Sequence, residues 1–219
     1  MVTTIILISL LTWLAVTIIS LGLLMLNMIK MEERWEKKYL PVPLPRFGSG
    51  CLHEFEWYLQ GESVVPVTSV ADICQWLRSC QYVYDPQLFQ CNDFWQHPQD
   101  FEKARQGDCE DHALWAWRRL IELGLEADFV VGHAGPERHA WVTFNYQGKE
   151  YLLETTLKYD KMIYLLETTK NRYRPDIGVD RQLRTYQYRR QSALSYLLTR
   201  VGVWTGPAQR ELVPVEWGE

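Results

Sequence analysis

Gly107-Asp108-Cys109-Glu110-Asp111-His112-Ala113 places a cysteine at the first turn of a helix whose two ends are both written into the chain. Asp108 is suited to cap the free amides of that turn, Asp111 three residues on forms an imperfect capping box with it, and Gly124 stops the helix. Between them Ala113, Ala116, Trp117, Leu120, Ile121 and Leu123 recur at helical spacing and form a face to bury, while Arg118, Arg119 and Glu122 are expected to stay wet. Cys109 then sits at the positive end of the helix dipole, where free amides favour the thiolate over the thiol. A small structural cysteine is the plainer alternative. The polar first turn and the segments that follow speak for a nucleophile.

Those segments are strands. Ala127 to Gly132 reads as one, and His139 to Tyr146 and Lys149 to Thr155 read as a hairpin about Gln147-Gly148. A two-residue loop sets position 141 opposite 154 and 139 opposite 156, whereas a four-residue loop sets 139 opposite 154. Either register puts His139 and Glu154 on one face, as opposite or diagonal neighbours within hydrogen-bond reach. A three-residue loop would separate them. A thiol on a helix end with an imidazole and a carboxylate on a hairpin supplies a nucleophile, a base and a group that orients the base.

Trp95-Gln96-His97-Pro98, the Gly-Asp-Cys-Glu-Asp core, His139-Ala140-Trp141-Val142 and Tyr151-Leu152-Leu153-Glu154-Thr155-Thr156 match, in order and spacing, a known pattern. They resemble the bacterial transglutaminase-like cysteine protease superfamily over residues 80 to 160. The resemblance implies an α+β, papain-like or transglutaminase-like core, with the nucleophile's helix packed on an antiparallel sheet. It implies Cys109 as nucleophile, His139 as base and Glu154 as the third, orienting acid. One feature departs from the pattern, since the family usually has aspartate at the third position. Trp95 is a candidate to help the Cys109 amide bind an oxyanion, with a buried core role as its alternative. The implied activity is an enzyme that forms a cysteine thioester with a protein or peptide, here expected to be membrane-anchored through its N-terminal run. The acyl group passes to water in a peptidase or amidase, or to an amine in a transglutaminase, and the bacterial branch tilts toward hydrolysis. No cofactor is expected. The alternative is a catalytically silent scaffold for protein binding at the membrane.

Tyr151 to Thr156 is repeated letter for letter as Tyr164 to Thr169, which makes Glu167 a rival acid. Glu154 is favoured because its strand is hairpinned to His139, whereas Glu167 needs another reversal through Lys158-Tyr159-Asp160-Lys161. The second copy reads as a neighbouring strand. Cys109, Asp111, His112, His133 and His139 are the residues a metal site would draw on. Neighbours on a helix diverge, however, and no pair has zinc-site spacing, so no metal is expected.

Thr3 to Ile29 contains no charged residue and is long enough as a helix to span a bilayer. Residues 1–29 are therefore expected to be a single-pass anchor rather than a cleaved signal, which has a basic start and a shorter apolar centre. Lys30, Arg34, Lys37 and Lys38 follow it and favour a cytoplasm-facing domain. The five cysteines, without paired metal spacing, suit a reducing compartment. Residues 30–50 read as a charged helix to Tyr39 and then a Pro/Gly spacer, Pro41 to Gly50. Residues 51–200 read as the catalytic domain, with helices over Ser69 to Ser79 and Pro98 to Arg105 and a closing helix over Ser192 to Val201. Residues 201–219 read as a tail. The Arg- and Tyr-rich stretch from Arg172 to Arg190 alternates like a strand with one wet face, and a formal charge of -4 argues against a nucleic-acid groove.

Overall fold

The computed structural model describes residues 12–22, 35–157, 161–169 and 172–190. Its elements are α1 (12–22), β1 (Trp35–Tyr39), a 3-10 turn at Leu44–Arg46, α2 (Phe55–Tyr58), α3 (Val70–Arg78), β2 (Gln81–Tyr82), α4 (Asp85–Leu88), α5 (Pro98–Ala104), β3 (Gln106–Gly107) and α6 (Cys109–Glu122). There follow β4 (Ala127–Ala134), β5 (Glu137–Tyr146), β6 (Lys149–Leu153), β7 (Ile163–Leu165), a 3-10 turn at Leu166–Thr168, β8 (Tyr173–Val179) and β9 (Thr185–Arg190). The chain divides into two compact units, and Lys37–Arg189, in the second, carries every candidate site residue.

Most of the expected anchor lies outside the described residues. Its described part, α1, exposes Trp13, Leu14, Val16, Ile18, Ile19 and Leu21. Among the described residues no helix is long and apolar enough to cross a membrane. Residues 191–219, where the closing helix and tail are expected, also lie outside the description.

In the second unit the strands form one sheet in the order β1-β9-β8-β4-β5-β6-β7, and β2 pairs in parallel with β3. The hairpin closes with the two-residue loop: Tyr146 pairs with Lys149 and Val142 with Leu153. Gln147 and Gly148 both take positive φ, 51° and 73°, the type I′ geometry whose twist matches the strands it joins. The second copy of the repeated hexapeptide begins as a neighbouring strand, with Tyr151 opposite Leu165 and Leu153 opposite Ile163.

Period-two alternation divides the sheet's faces. Phe129, Val131, Ala140, Val142 and Leu153 join the main core under α6, while Val130, Trp141, Leu152 and Tyr173 form a smaller cluster on the opposite face. Ala113, Ala116, Trp117 and Leu120 are buried, as the periodicity of α6 predicts. Arg118 and Arg119 are not wet. Both are buried, and their guanidinium groups bind main-chain carbonyls: Arg118 reaches Gln60 O at 2.9 Å and Gly61 O, and Arg119 reaches Val65 O at 2.9 Å. Two long cations thus tie the segment after α2 to the helix.

Upstream the structure departs from the expected charged helix and spacer. Trp35–Tyr39 is a strand, β1, at the sheet edge beside β9, anchored by the ion pair of Lys37 with Asp128. The Pro/Gly segment packs: Phe47 is buried and its ring lies 4.7 Å from that of Phe55. Edge pairing and one aromatic anchor outweigh local composition there. The helices over residues 70–78 and 98–104 form as expected, with Ser69 Oγ accepting from Asp72 N–H at 3.2 Å.

Gly132, opposite His139 on β4, has room for no side chain. A Cβ there would lie 2.2 Å from Arg174 O and 2.8 Å from the Trp141 ring. Gly132→Ala is expected to cost about 1–3 kcal/mol, a fall of roughly 2–10 °C in a thermal melt of the full chain.

Candidate functional site

The first turn of α6 is wired to the Trp95-Gln96-His97-Pro98 segment through Asp111. Its carboxylate accepts from Gln96 N–H at 2.8 Å, from Gln96 Nε2 at 2.7 Å and from Asp108 N–H at 3.2 Å, the last being half of the capping box. Gly107 permits this, because a Cβ there would lie 2.3 Å from Asp111 Oδ2. Two motifs far apart in sequence thereby become one support for Cys109. Trp95 belongs to that support rather than to an oxyanion site. Its ring is buried 5.5 Å from that of Phe129, and its indole N–H donates to Asp93 Oδ1 at 2.9 Å. The oxyanion expectation is corrected for that reason: the donor is already committed.

Cys109 opens α6 as expected, but its environment opposes the thiolate. The S–H donates to Glu110 Oε2 at 3.2 Å. Burial foremost, and then the charges of Glu110 and Asp108, push the thiol well above its ordinary range, while the main-chain amide of Ala140 pulls the other way. The half-charge of a helix end is outweighed by two adjacent carboxyl groups in a buried place. Burial likewise pushes Asp108 and Asp111 up against their hydrogen bonds, pushes Glu110 up together with its bond to Asp108 and the charges of Asp108 and Asp111, and raises Asp85 to about 6. The Ala140 amide that acts on the sulfur belongs to the residue next to His139, on the part of β5 beyond the last β6 pair, Val142 with Leu153.

His139 and Glu154 share the face of Trp141, in the diagonal register that a two-residue loop predicts. His139 Nε2 lies 2.9 Å from Glu154 Oε2 and 3.1 Å from Oε1, so the proton is on Nε2 and Nδ1 is the basic nitrogen. Glu154 is 1% exposed and accepts three more bonds: Thr156 N–H at 3.0 Å and Thr156 Oγ1 at 2.8 Å on Oε1, and Tyr173 OH at 2.8 Å on Oε2. Burial alone would raise this carboxyl, but His139 and Thr156 hold it down at about 2. Thr156 and Tyr173 are functional candidates that the sequence reading missed. The Glu-x-Thr spacing is a local signal for the first, and nothing local signals the second. Glu167, the rival acid, is exposed in the 3-10 turn at Leu166–Thr168.

Of the other residues weighed as metal ligands, His112 Nδ1 bonds Asp108 O at 2.7 Å and His133 pairs with Asp176 at 3.2 Å, so the imidazoles do not converge. Carboxylates do. Asp85, Asp93 and Glu110, and likewise Asp85, Asp108 and Asp111, bring ligand oxygens within 4.8 Å of one another, as do Asp108 and Glu110 with the Cys109 sulfur. Asp85 Oδ1 and Asp108 Oδ1 are buried without a hydrogen-bond partner. The two groups made of carboxylates alone suit a hard divalent cation rather than zinc. Asp85 opens α4 and Asp93 lies in the loop before α5, both far in sequence from Cys109, which is why spacing could not find them.

Residues 93–181 match the family model described as the CEP76 peptidase-like domain, a stretch that includes Cys109, His139 and Glu154. The match agrees with the resemblance to transglutaminase-like cysteine proteases. Among solved structures, calcium-bound LapG of Legionella pneumophila is similar at 18% identity and a TM-score of 0.43, over 60% of this chain and 78% of that one. EGTA-treated LapG is similar at 17% identity and a TM-score of 0.41, over 50% of this chain, which spans 60% of the LapG chain. No curated protein matches the chain.

The carboxyls set opposite pH trends. Those of Asp85 and Asp111, raised in the fold to about 6 and about 8, keep protons that the unfolded chain releases, so their contribution falls as pH rises through those values. Glu154, lowered to about 2, contributes above the unfolded carboxylate range, and that contribution is lost as pH falls toward 2. Melting curves in EDTA should therefore peak at about pH 4–5 and decline toward pH 8. Asp111→Asn should flatten that decline.

Proposed function

We propose that the chain is a cysteine peptidase of the transglutaminase-like kind. The observation that supports this best is a buried, ionised Glu154 holding Nε2–H of His139, which leaves Nδ1 as the base, next in the strand to the Ala140 amide that acts on the Cys109 sulfur. In the proposed reaction His139 Nδ1 takes the thiol proton and Cys109 Sγ bonds to the substrate's carbonyl carbon. The free N–H of Cys109 at the helix start faces the developing oxyanion. The tetrahedral adduct collapses by breaking the C–N bond, and His139 returns its proton to the leaving amine. Water, deprotonated by His139, then releases the acid and restores the thiol. An amine in place of that water would make the enzyme a transglutaminase. Glu154 keeps the imidazole's tautomer and offsets its positive charge throughout.

The resting thiol donates to Glu110, so activation needs the acidic cluster neutralised. Asp85, Asp93 and Glu110 would hold a divalent cation, whose charge would favour the thiolate over the thiol. The same thiol–carboxyl bond favours the second reading, a silent scaffold. For the N-terminus, the charge-free run Thr3 to Ile29 and the exposed apolar side chains of α1 support a single-pass anchor, and the Lys and Arg residues after it favour a cytoplasm-facing domain.

Iodoacetamide labelling of the full chain in detergent at pH 7, read by mass spectrometry, separates the two. Cys91, half-buried like Cys109, is the internal control. With millimolar calcium, Cys109 should label at least about tenfold faster than Cys91, and EDTA should slow it. His139→Ala should reduce the turnover of peptide substrates by about 10²- to 10⁴-fold. Equally slow labelling of Cys109 and Cys91 with and without calcium would overturn the peptidase in favour of the scaffold.

A further inference from the structure

The acid of the candidate site is a glutamate, with one more rotatable bond than the aspartate usual at that position, so something must hold its carboxylate still. Thr156 occupies one oxygen. The other is shared between His139 Nε2 and a hydroxyl from β8, that of Tyr173, at 2.9 and 2.8 Å.

Tyr173 reaches that oxygen only because the sheet is irregular. Ile177 and Val179 on β8 face the core under α6, and in a regular strand Tyr173, four residues before Ile177, would face the same way. Between β4 and β8 the register shifts instead: Val131 pairs with Ile177, but Gly132 pairs with Pro175. The one-residue bulge turns Tyr173 to the opposite face, beside Trp141, whose ring centre lies 5.4 Å away at 67°. The second copy of the repeated hexapeptide fixes the height of the residue, since Tyr173 N–H donates to Thr169 O at 2.9 Å. That copy does not provide the acid. It delivers the group that binds the first copy's acid.

We propose that Tyr173 is a positioning residue that acts through Glu154 on His139, by fixing Oε2 so that Nε2–H stays donated and Nδ1 stays basic. The proposal rests on the reading of His139 as the base. Packing does not explain the hydroxyl, because a phenylalanine would fill the same space against Trp141. The phenol O–H is a donor toward an acceptor-only carboxylate, so its single bond there has a defined direction.

Tyr173→Phe isolates that bond. It is expected to slow Cys109 alkylation and peptide turnover by about tenfold, with KM unchanged. In a Glu154→Gln background the same substitution should change the rate less than about twofold, because its effect runs through the carboxylate. Nitrogen-15 NMR of the imidazole gives a readout independent of turnover: His139 should be the Nε2–H tautomer in the wild type and a mixture in Tyr173→Phe. An equal loss of rate in both backgrounds, or an unchanged rate and tautomer in Tyr173→Phe, would overturn the proposal. Should wild-type Cys109 label no faster than Cys91, the nucleophile reading fails, and the tautomer ratio still decides the role of Tyr173.

Discussion

A carboxylate sealed from water has to be paired, and the burial of Glu154 is the constraint on which the rest of this site depends. Four donors meet its two oxygens, one from His139, two from Thr156 and one from Tyr173. Each comes from a different structural device. The tight Gln147-Gly148 turn brings His139 into diagonal register, the end of β6 lets Thr156 fold back, and the bulge on β8 turns Tyr173 inward. Gly132 links two of them, standing opposite His139 while admitting β8 and the Trp141 ring at close range.

The other half of the site carries the opposite charge problem. At the first turn of α6 several carboxyl groups are gathered in a place where burial favours their neutral forms, and the thiol of Cys109 is drawn into the same network. One half thus holds a well-seated anion bonded to an imidazole. The other holds more acid than its own donors satisfy, with Asp85 Oδ1 and Asp108 Oδ1 left bare. A site built this way is sensitive to whatever neutralises the cluster, and the reactivity of the sulfur follows that charge rather than the helix dipole alone.

The sheet and α6 make these two halves adjacent. The helix packs on one face over β4 and β5, and His139 and Glu154 lie on the other. They approach one another at β5, beyond its last pair with β6, where the Ala140 amide acts on the sulfur. Arg118 and Arg119 hold the segment after α2 against the same helix, so the support of Cys109 extends well beyond its own turn.

Features set by neighbours in sequence were legible without the structure. The start of α6 at Cys109, its stop before Gly124, the hairpin about Gln147-Gly148 and the shared face of His139 and Glu154 all follow from capping, turn chemistry and period-two alternation. These act over a few residues and need no knowledge of the rest of the chain. What the tertiary structure alone decided are encounters between segments far apart in sequence. They include the burial of Arg118 and Arg119 on loop carbonyls, the commitment of the Trp95 indole to Asp93, the strand at Trp35–Tyr39, the convergence of Asp85 and Asp93 on the first turn of α6, and the arrival of Tyr173 at Glu154. Local spacing cannot encode them, because a one-residue bulge reverses the face of every side chain beyond it, and the protonation of a buried group depends on neighbours supplied by the whole fold.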